Sequence, residues 1–227
     1  MPEDNTNSQH LIEEILADLS VYSEPKMLRV GISELLNIGS VNMSGVEKYR
    51  ELLSNLRYAW KKCLRYTQYF EEFYPPANKI EKFEALYHHI HAYLQDMTIL
   101  KNKTEVLLGE MKNDIKKIAV NRREIDAFFK SGIEKTAEVF SQVSKHRHAH
   151  THRGTRFFDG DLLKAENAHG TLELFTTGAF KGMLNPDYRE EFLAKLQKEK
   201  EESFESAKKN WVEMAKRNDE QTSGYLD

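Results

Sequence analysis

The chain has 227 residues, 40% of them hydrophobic and 30% charged, with a formal net charge of -3. That is enough apolar matter for a sizeable core under wet outer faces, while near-neutrality excludes a globally basic nucleic-acid binder and leaves any anion to a local patch. A single cysteine, Cys63, excludes an intrachain disulfide and a multi-thiolate metal site, and the polar amino terminus and lack of a long apolar run predict a cytoplasmic protein with no signal core or membrane span.

Five prolines, at positions 2, 25, 75, 76 and 186, leave long stretches free of helix breakers. Asp159-Gly160 precedes a helical pattern and does not join two alternating runs, so the expected fold is all-α, an antiparallel helical bundle. Leu11, Ile12, Ile15, Leu16 and Leu19 predict a first short helix, with Ser8 as its cap. Met27, Leu28, Ile32, Leu35 and Leu36 predict a second, running toward Gly39. Ser44 to Glu47 reads as a capping box opening a helix that runs nearly to Tyr74, with Leu52, Leu56, Trp60, Leu64 and Tyr69 among its apolar positions. Pro75-Pro76 ends it. Cys63 is read as a structural thiol, although Lys61, Lys62 and Arg65 are placed to activate a thiolate.

From Asn78 to Ile118 the periodicity is strongest. Phe83, Ile90, Met97, Thr104, Met111 and Ile118 share one heptad phase, and Leu86, Tyr93, Leu100 and Leu107 the other. Such a seam packs along its whole length, and it is long enough to serve a dimer. A break near Asn102 to Thr104 is the alternative to one continuous helix. The next helix starts near Arg123 and carries Ile125, Phe129, Ile133, Ala137, Phe140 and Val143. Arg147, four residues beyond Val143, continues that stripe and is expected to face neighbouring helices, with Gly154 ending the helix.

A short helix follows over Asp159 to Phe175, then a loop with Gly178, Gly182 and Pro186. A long charged helix runs from Asp187 to Asn218, with Tyr188, Phe192, Leu196, Phe204, Ala207, Trp211 and Met214 as its narrow stripe. The tail from Gln221 to Asp227 is expected to be mobile. The organisation expected is a helical extension over 1–43, a bundle over 44–178, and a charged helix and tail over 179–227 packed on the same domain.

The chemistry concentrates between Ser144 and Phe158. This stretch holds His146, His148, His150 and His152 with Lys145, Arg147, Arg153 and Arg156, and no acidic residue lies between Glu138 and Asp159. Arginine offers a charged planar fork suited to phosphate, and histidine titrates near neutrality. Arg147 is read as a phosphate contact that offsets transition-state charge, His152 as the group that moves a proton, and His148 as a positioning or proton-sharing group. Lys145, His146, Arg153 and Arg156 are the expected nucleic-acid contacts. On a regular helix, positions 147 and 152 lie about 140° apart, so the pair converges only if the helix frays or two subunits share the work.

The run Arg147-His148-Ala149-His150-Thr151-His152, at the end of a long helix, resembles the motif of the HEPN superfamily (higher eukaryotes and prokaryotes nucleotide-binding). The preceding helix through Phe83-Glu84-Ala85-Leu86-Tyr87-His88-His89-Ile90-His91 also looks right for that family, and the resemblance covers roughly Ser44 to Phe175. It implies an antiparallel helical bundle that is a homodimer, with RNA or a nucleotide as ligand and an antitoxin protein as a possible partner. It also implies a metal-independent endoribonuclease in which two Arg/His pairs meet across the dimer and the neighbouring 2'-hydroxyl attacks the phosphate. No cofactor is implied. Gly154 stands where members regulated by adenylylation carry tyrosine, so that control is not expected.

Three competing readings accompany this one. The alternating histidines suit a metal, but the only Glu/His spacings at hand, Glu84 before His88 and Glu166 before His169, make a weak ligand set, and no metal site is expected. His88 and His91 read as interface or core histidines flanked by Tyr87 and Tyr93. Tyr66, Tyr69, Phe70, Phe73 and Tyr74 could stack on bases, yet their helical spacing favours packing. A non-catalytic interaction or scaffold bundle is the alternative function.

Overall fold

The computed structural model describes residues 43–76, 80–118, 122–152 and 159–226, with the side chains of 43–46, 118, 148–152 and 226 outside that description. The two short helices expected from Leu11 and from Met27 also lie outside it, as do Arg153, Gly154 and Arg156. The helices are α1 (Met43–Cys63), α2 (Tyr66–Glu72), α3 (Lys82–Ile118), α4 (Arg122–Val139), α5 (Ser141–His152), α6 (Gly160–Thr176) and α7 (Pro186–Leu226). Among the described residues there is no strand, and none of the helices is long and apolar enough to cross a membrane. The fold is all-α.

α3 runs unbroken for 37 residues, roughly 55 Å at 1.5 Å per residue. Its two heptad phases are buried from Phe83 to Met111, with exposures between 0 and 7%. Thr104, the polar member, returns its hydroxyl to the Leu100 carbonyl at 3.0 Å, which satisfies the oxygen inside the seam. Intrachain burial already uses this seam.

The expected Ser44-to-Tyr74 helix is two helices, α1 and α2, interrupted by a turn at Leu64 and Arg65. Its buried face is Leu56, Ala59, Cys63, Tyr66 and Phe70, whereas Leu64 is exposed and Trp60 only partly buried. Steps of four drift about 40° each around a helix, so the series 52, 56, 60, 64 rotates away from the core, and alternating steps of three and four stay on it. Burial pushes the Cys63 thiol far up, with the charges of Asp96 and Asp219 adding to the effect. The thiolate reading is thereby overturned.

Residues 43–63, 96–143 and 218–226 form one compact unit; residues 64–95 and 144–217 form a second. In the first, Lys48 pairs with Asp114 at 3.0 Å and with Glu110, while Lys62 pairs with Asp96 at 2.8 Å. The rising and falling numbers show α1 and this part of α3 to be antiparallel. Lys112 and Lys116 both reach Asp126 on α4, at 3.0 and 2.9 Å. The end of α7 closes the unit. Thr222 is buried, and the Tyr225 hydroxyl lies 3.0 Å from the Gly132 carbonyl and 2.7 Å from the Thr136 hydroxyl. The segment expected to be a mobile tail is thus helical to Leu226.

Asp114 gives this unit a pH dependence. Lys117 at 2.6 Å, then Lys48 and Tyr49, hold its carboxyl at about 2. A carboxyl depressed on folding stabilises above its unfolded value near 4 and loses that contribution as pH falls to about 2. The gap in urea midpoint between the wild type and Asp114→Asn is therefore expected to be widest at neutral pH and to close between pH 4 and pH 2. A gap that stays constant across this range would contradict the assignment.

In the second unit, Tyr66 and Phe70 of α2 meet Tyr93 of α3 at ring-centroid distances of 5.2 and 5.6 Å. On the α7 side, Phe70 meets Trp211 at 6.2 Å and Tyr74 meets Phe204 at 5.4 Å, again in antiparallel order. Lys216 reaches Glu71 at 3.0 Å, and Lys200 reaches Glu81 at 3.1 Å. Gly182 turns the loop before α7 at φ +88°, a region that favours glycine. A Cβ on Gly178 would stand 2.9 Å from the Leu174 Cα, so the chain leaves α6 through a position with no room for a side chain.

Candidate nucleic-acid interface

The helix expected from Arg123 to Gly154 is broken by a turn at Phe140 into α4 and α5. Its buried positions are Phe129, Gly132, Thr136, Phe140 and Val143, while Ala137 is exposed. These positions step by three, four, four and three, and a further step of three places residue 146 inward after Val143 and leaves residue 147 outward. Arg147 is exposed, as is Lys145. The expectation that Arg147 continues a buried stripe is corrected by the same drift that misplaced Leu64.

His146 takes the inward place. It is half-buried, with its ring 5.9 Å from that of Trp211 at 63°. Burial lowers its pKa below the ordinary histidine range, and the charge of Asp159 opposes this in part. The indole Nε1–H of buried Trp211 donates to Asp159 Oδ2 at 2.7 Å. Asp159 Oδ1 accepts the backbone N–H groups of Asp161 and Leu162, each at 3.0 Å, which caps α6. One carboxylate therefore ties the start of α6 to α7, and through the indole to α5. Sequence reasoning missed Trp211 and Asp159 as neighbours of the basic run. The available signal was Asp159 itself, a good cap residue directly before a helical pattern and the first acid after that run.

α5 stays helical through His152. Positions 147 and 152 accordingly lie about 140° apart around one axis, and a single chain does not bring them together. Positions 148 and 152 are one turn apart, at four residues. His148 and His152 are placed here by backbone only, their side chains lying outside the description, and Arg153 and Arg156 lie outside it altogether.

Of the other described histidines, His89 packs within the helical bundle and His169 lies beside two carboxylates. His89, not His88 or His91, is the packed member of its cluster. Its Nε2 lies 2.7 Å from the Phe73 carbonyl, and its ring stacks on Tyr69 at 6.1 Å and 24°. His88 and His91 are exposed. His169 lies 4.0 Å from Glu81 and 3.6 Å from Glu173. Among the described residues no three His, Cys, Asp or Glu side chains gather as a metal-ligand set. Tyr66 and Phe70 are buried and Tyr69 partly so, which makes this aromatic group core packing; Phe73 alone is largely exposed. No protein-family model, curated protein or solved structure matches the chain.

Proposed function

We propose that α5 forms an RNA-binding surface through Lys145 and Arg147, and that two copies of the chain combine Arg147 and His152 into a site for RNA cleavage. The observation that carries this reading is the exposure of Lys145 and Arg147 on a helix within a stretch free of acidic side chains from 139 to 158. Phosphate contacts of this kind supply most of the affinity for a nucleic acid and make it depend on salt. The resemblance to HEPN domains extends the reading from binding to chemistry. The 2'-hydroxyl oxygen attacks the adjacent phosphorus, the bond to the 5'-oxygen breaks, and a 2',3'-cyclic phosphate and a 5'-hydroxyl result. Arg147 offsets the charge gathering on the phosphoryl oxygens, and His152 moves the proton.

Binding is tested with labelled single-stranded RNA by fluorescence anisotropy across a salt series. Each phosphate contact on a single strand contributes about 0.7 to the slope of log affinity against log salt. Lys145→Ala with Arg147→Ala is expected to lower that slope by about 1.4 and to weaken binding regardless of RNA sequence. An unchanged slope sinks the assignment.

Assembly carries its own test. Because one helix holds positions 147 and 152 apart, the cleavage reading requires a symmetric dimer. Sedimentation equilibrium at micromolar concentration is expected to give twice the chain mass of 26.5 kDa. A clean monomer removes the shared site and leaves binding alone. A second reading, a non-catalytic interaction module, draws on one observation. Phe180 and Met183, in the turn between α6 and α7, and Tyr188, in the first turn of α7, are exposed to 41, 71 and 67%. It becomes the better account if the wild type binds no RNA.

A further inference from the structure

We infer that Trp211 is a positioning residue for α5: by packing edge-on against His146 and donating to Asp159, its indole sets the orientation in which Lys145 and Arg147 meet RNA. The inference rests on reading α5 as the RNA-binding element, and it names a residue that this reading does not itself require. His146 stands between the two exposed cations in sequence, and its ring packs 5.9 Å from the indole. Any rotation of α5 about its axis that moves Lys145 and Arg147 must also move His146 off Trp211. The indole cannot follow, because its N–H is held at 2.7 Å by Asp159, and the other oxygen of that carboxylate is held by two backbone donors of α6 at 3.0 Å each. On its far side Trp211 meets Phe70, a fully buried ring, at 6.2 Å. The sequence of α5 is Ser-Gln-Val-Ser-Lys-His-Arg-His-Ala-His-Thr-His, in which Val143 is the only large aliphatic side chain. Binding groups perform well only when neighbours lock them in the productive geometry, and the His146–Trp211 contact supplies such a lock to a charged helix with a thin apolar face. The arrangement also occupies both oxygens of Asp159, the first carboxylate after the basic run, with neutral donors.

Two substitutions separate positioning from general stability. Trp211→Phe keeps a ring beneath His146 and removes the donor to Asp159. His146→Ala removes the contact from the α5 side, at a half-buried position that tolerates truncation. Val212→Ala, on the same helix and also buried, is the control for stability lost without loss of positioning. Each variant is measured by thermal unfolding and by anisotropy with single-stranded RNA across a salt series. Trp211→Phe and His146→Ala are expected to bind about tenfold more weakly, with the salt slope lowered by about 0.7, the value of one lost phosphate contact. The double variant is expected to be no weaker than the weaker single one, because both break the same contact. Val212→Ala is expected to unfold earlier and to bind with the wild-type affinity and slope. In a Trp60→Phe background Trp211 is the sole indole, and RNA is expected to change its emission. Wild-type affinity and slope in both Trp211→Phe and His146→Ala overturn the inference while RNA binding by α5 stands. Affinity that falls with melting temperature in all three variants alike overturns it too, since only stability would then be involved. A wild type that binds no RNA overturns both readings together.

Discussion

Arg147→Ala and His152→Ala are each expected to lose RNA cleavage while the chain stays folded and dimeric. Removing a transition-state phosphate contact costs on the order of 10²–10³ in rate, by analogy with losing one oxyanion donor. Removing a general acid or base costs about 10²–10⁴. Because the two groups act on one transition state, the double variant is expected to be little worse than the weaker single one. His150→Ala is the internal control, a member of the same run with no assigned role. The helical geometry adds a sharper result. With positions 147 and 152 about 140° apart on one α5, the proposed cleavage site requires its pair to come from two copies of the chain. Mixing the two inactive single variants in equal amounts and allowing subunits to exchange then restores one composite site in each mixed dimer. Random exchange makes half of the dimers mixed, so roughly a quarter of the wild-type rate is expected to return. No recovery, in a mixture shown to exchange, means that the groups do not act as a shared pair. Loss of cleavage in His150→Ala with Arg147→Ala unaffected means that the motif misled the assignment.

The legible parts of the fold were those in which hydrophobic residues themselves keep the period. The α3 seam is the clearest case. Its heptads hold from Phe83 to Met111 with a single polar interruption, and Thr104 satisfies its hydroxyl within its own helix. The N-terminus of α6 was equally readable, because Asp159 caps it with its own carboxylate. Where apolar residues recur at several spacings, choosing steps of four over mixed steps of three and four selected the wrong face. This put Leu64 and Arg147 in the expected core and left out Ala59, Gly132 and the inward turn of His146. The end of α7 failed for a different reason. Its buried face continues from Trp211 through Ala215, Asn218 and Thr222 to the partly buried Tyr225, and the three residues beyond Ala215 all carry polar side-chain atoms. A hydrophobic count stops where that polar packing begins. The basic run was legible as composition, a series of cations and histidines without acids. Its support was not, since Trp211 lies more than fifty residues from Asp159 and only the tertiary fold joins them.

The largest expected loss of stability is at Phe70. α2 has seven residues, far too few to hold a helix in water by backbone bonds alone, so packing must maintain it. Phe70 is its one fully buried side chain, with ring centroids of Tyr93, Tyr66 and Trp211 at 5.6, 6.0 and 6.2 Å. Its carbonyl also accepts the Tyr74 hydroxyl at 2.7 Å, which holds the chain as it leaves the helix. Phe70→Ala deletes the ring and leaves a cavity walled by three aromatic rings that cannot collapse freely onto it. Such truncations cost about 3–5 kcal/mol, a large share of the roughly 5–15 kcal/mol that holds a domain folded. Phe70→Leu keeps most of the volume and is expected to cost less than about 2 kcal/mol. Urea unfolding followed by far-ultraviolet circular dichroism reads both, and a Phe70→Ala protein within about 1 kcal/mol of the wild type would show that α2 is not anchored by this ring. Trp211 forms one wall of the cavity, so the same variant is expected to loosen the indole beneath His146. Its RNA affinity should therefore fall under conditions where the chain is still fully folded, whereas Phe70→Leu should retain the wild-type affinity.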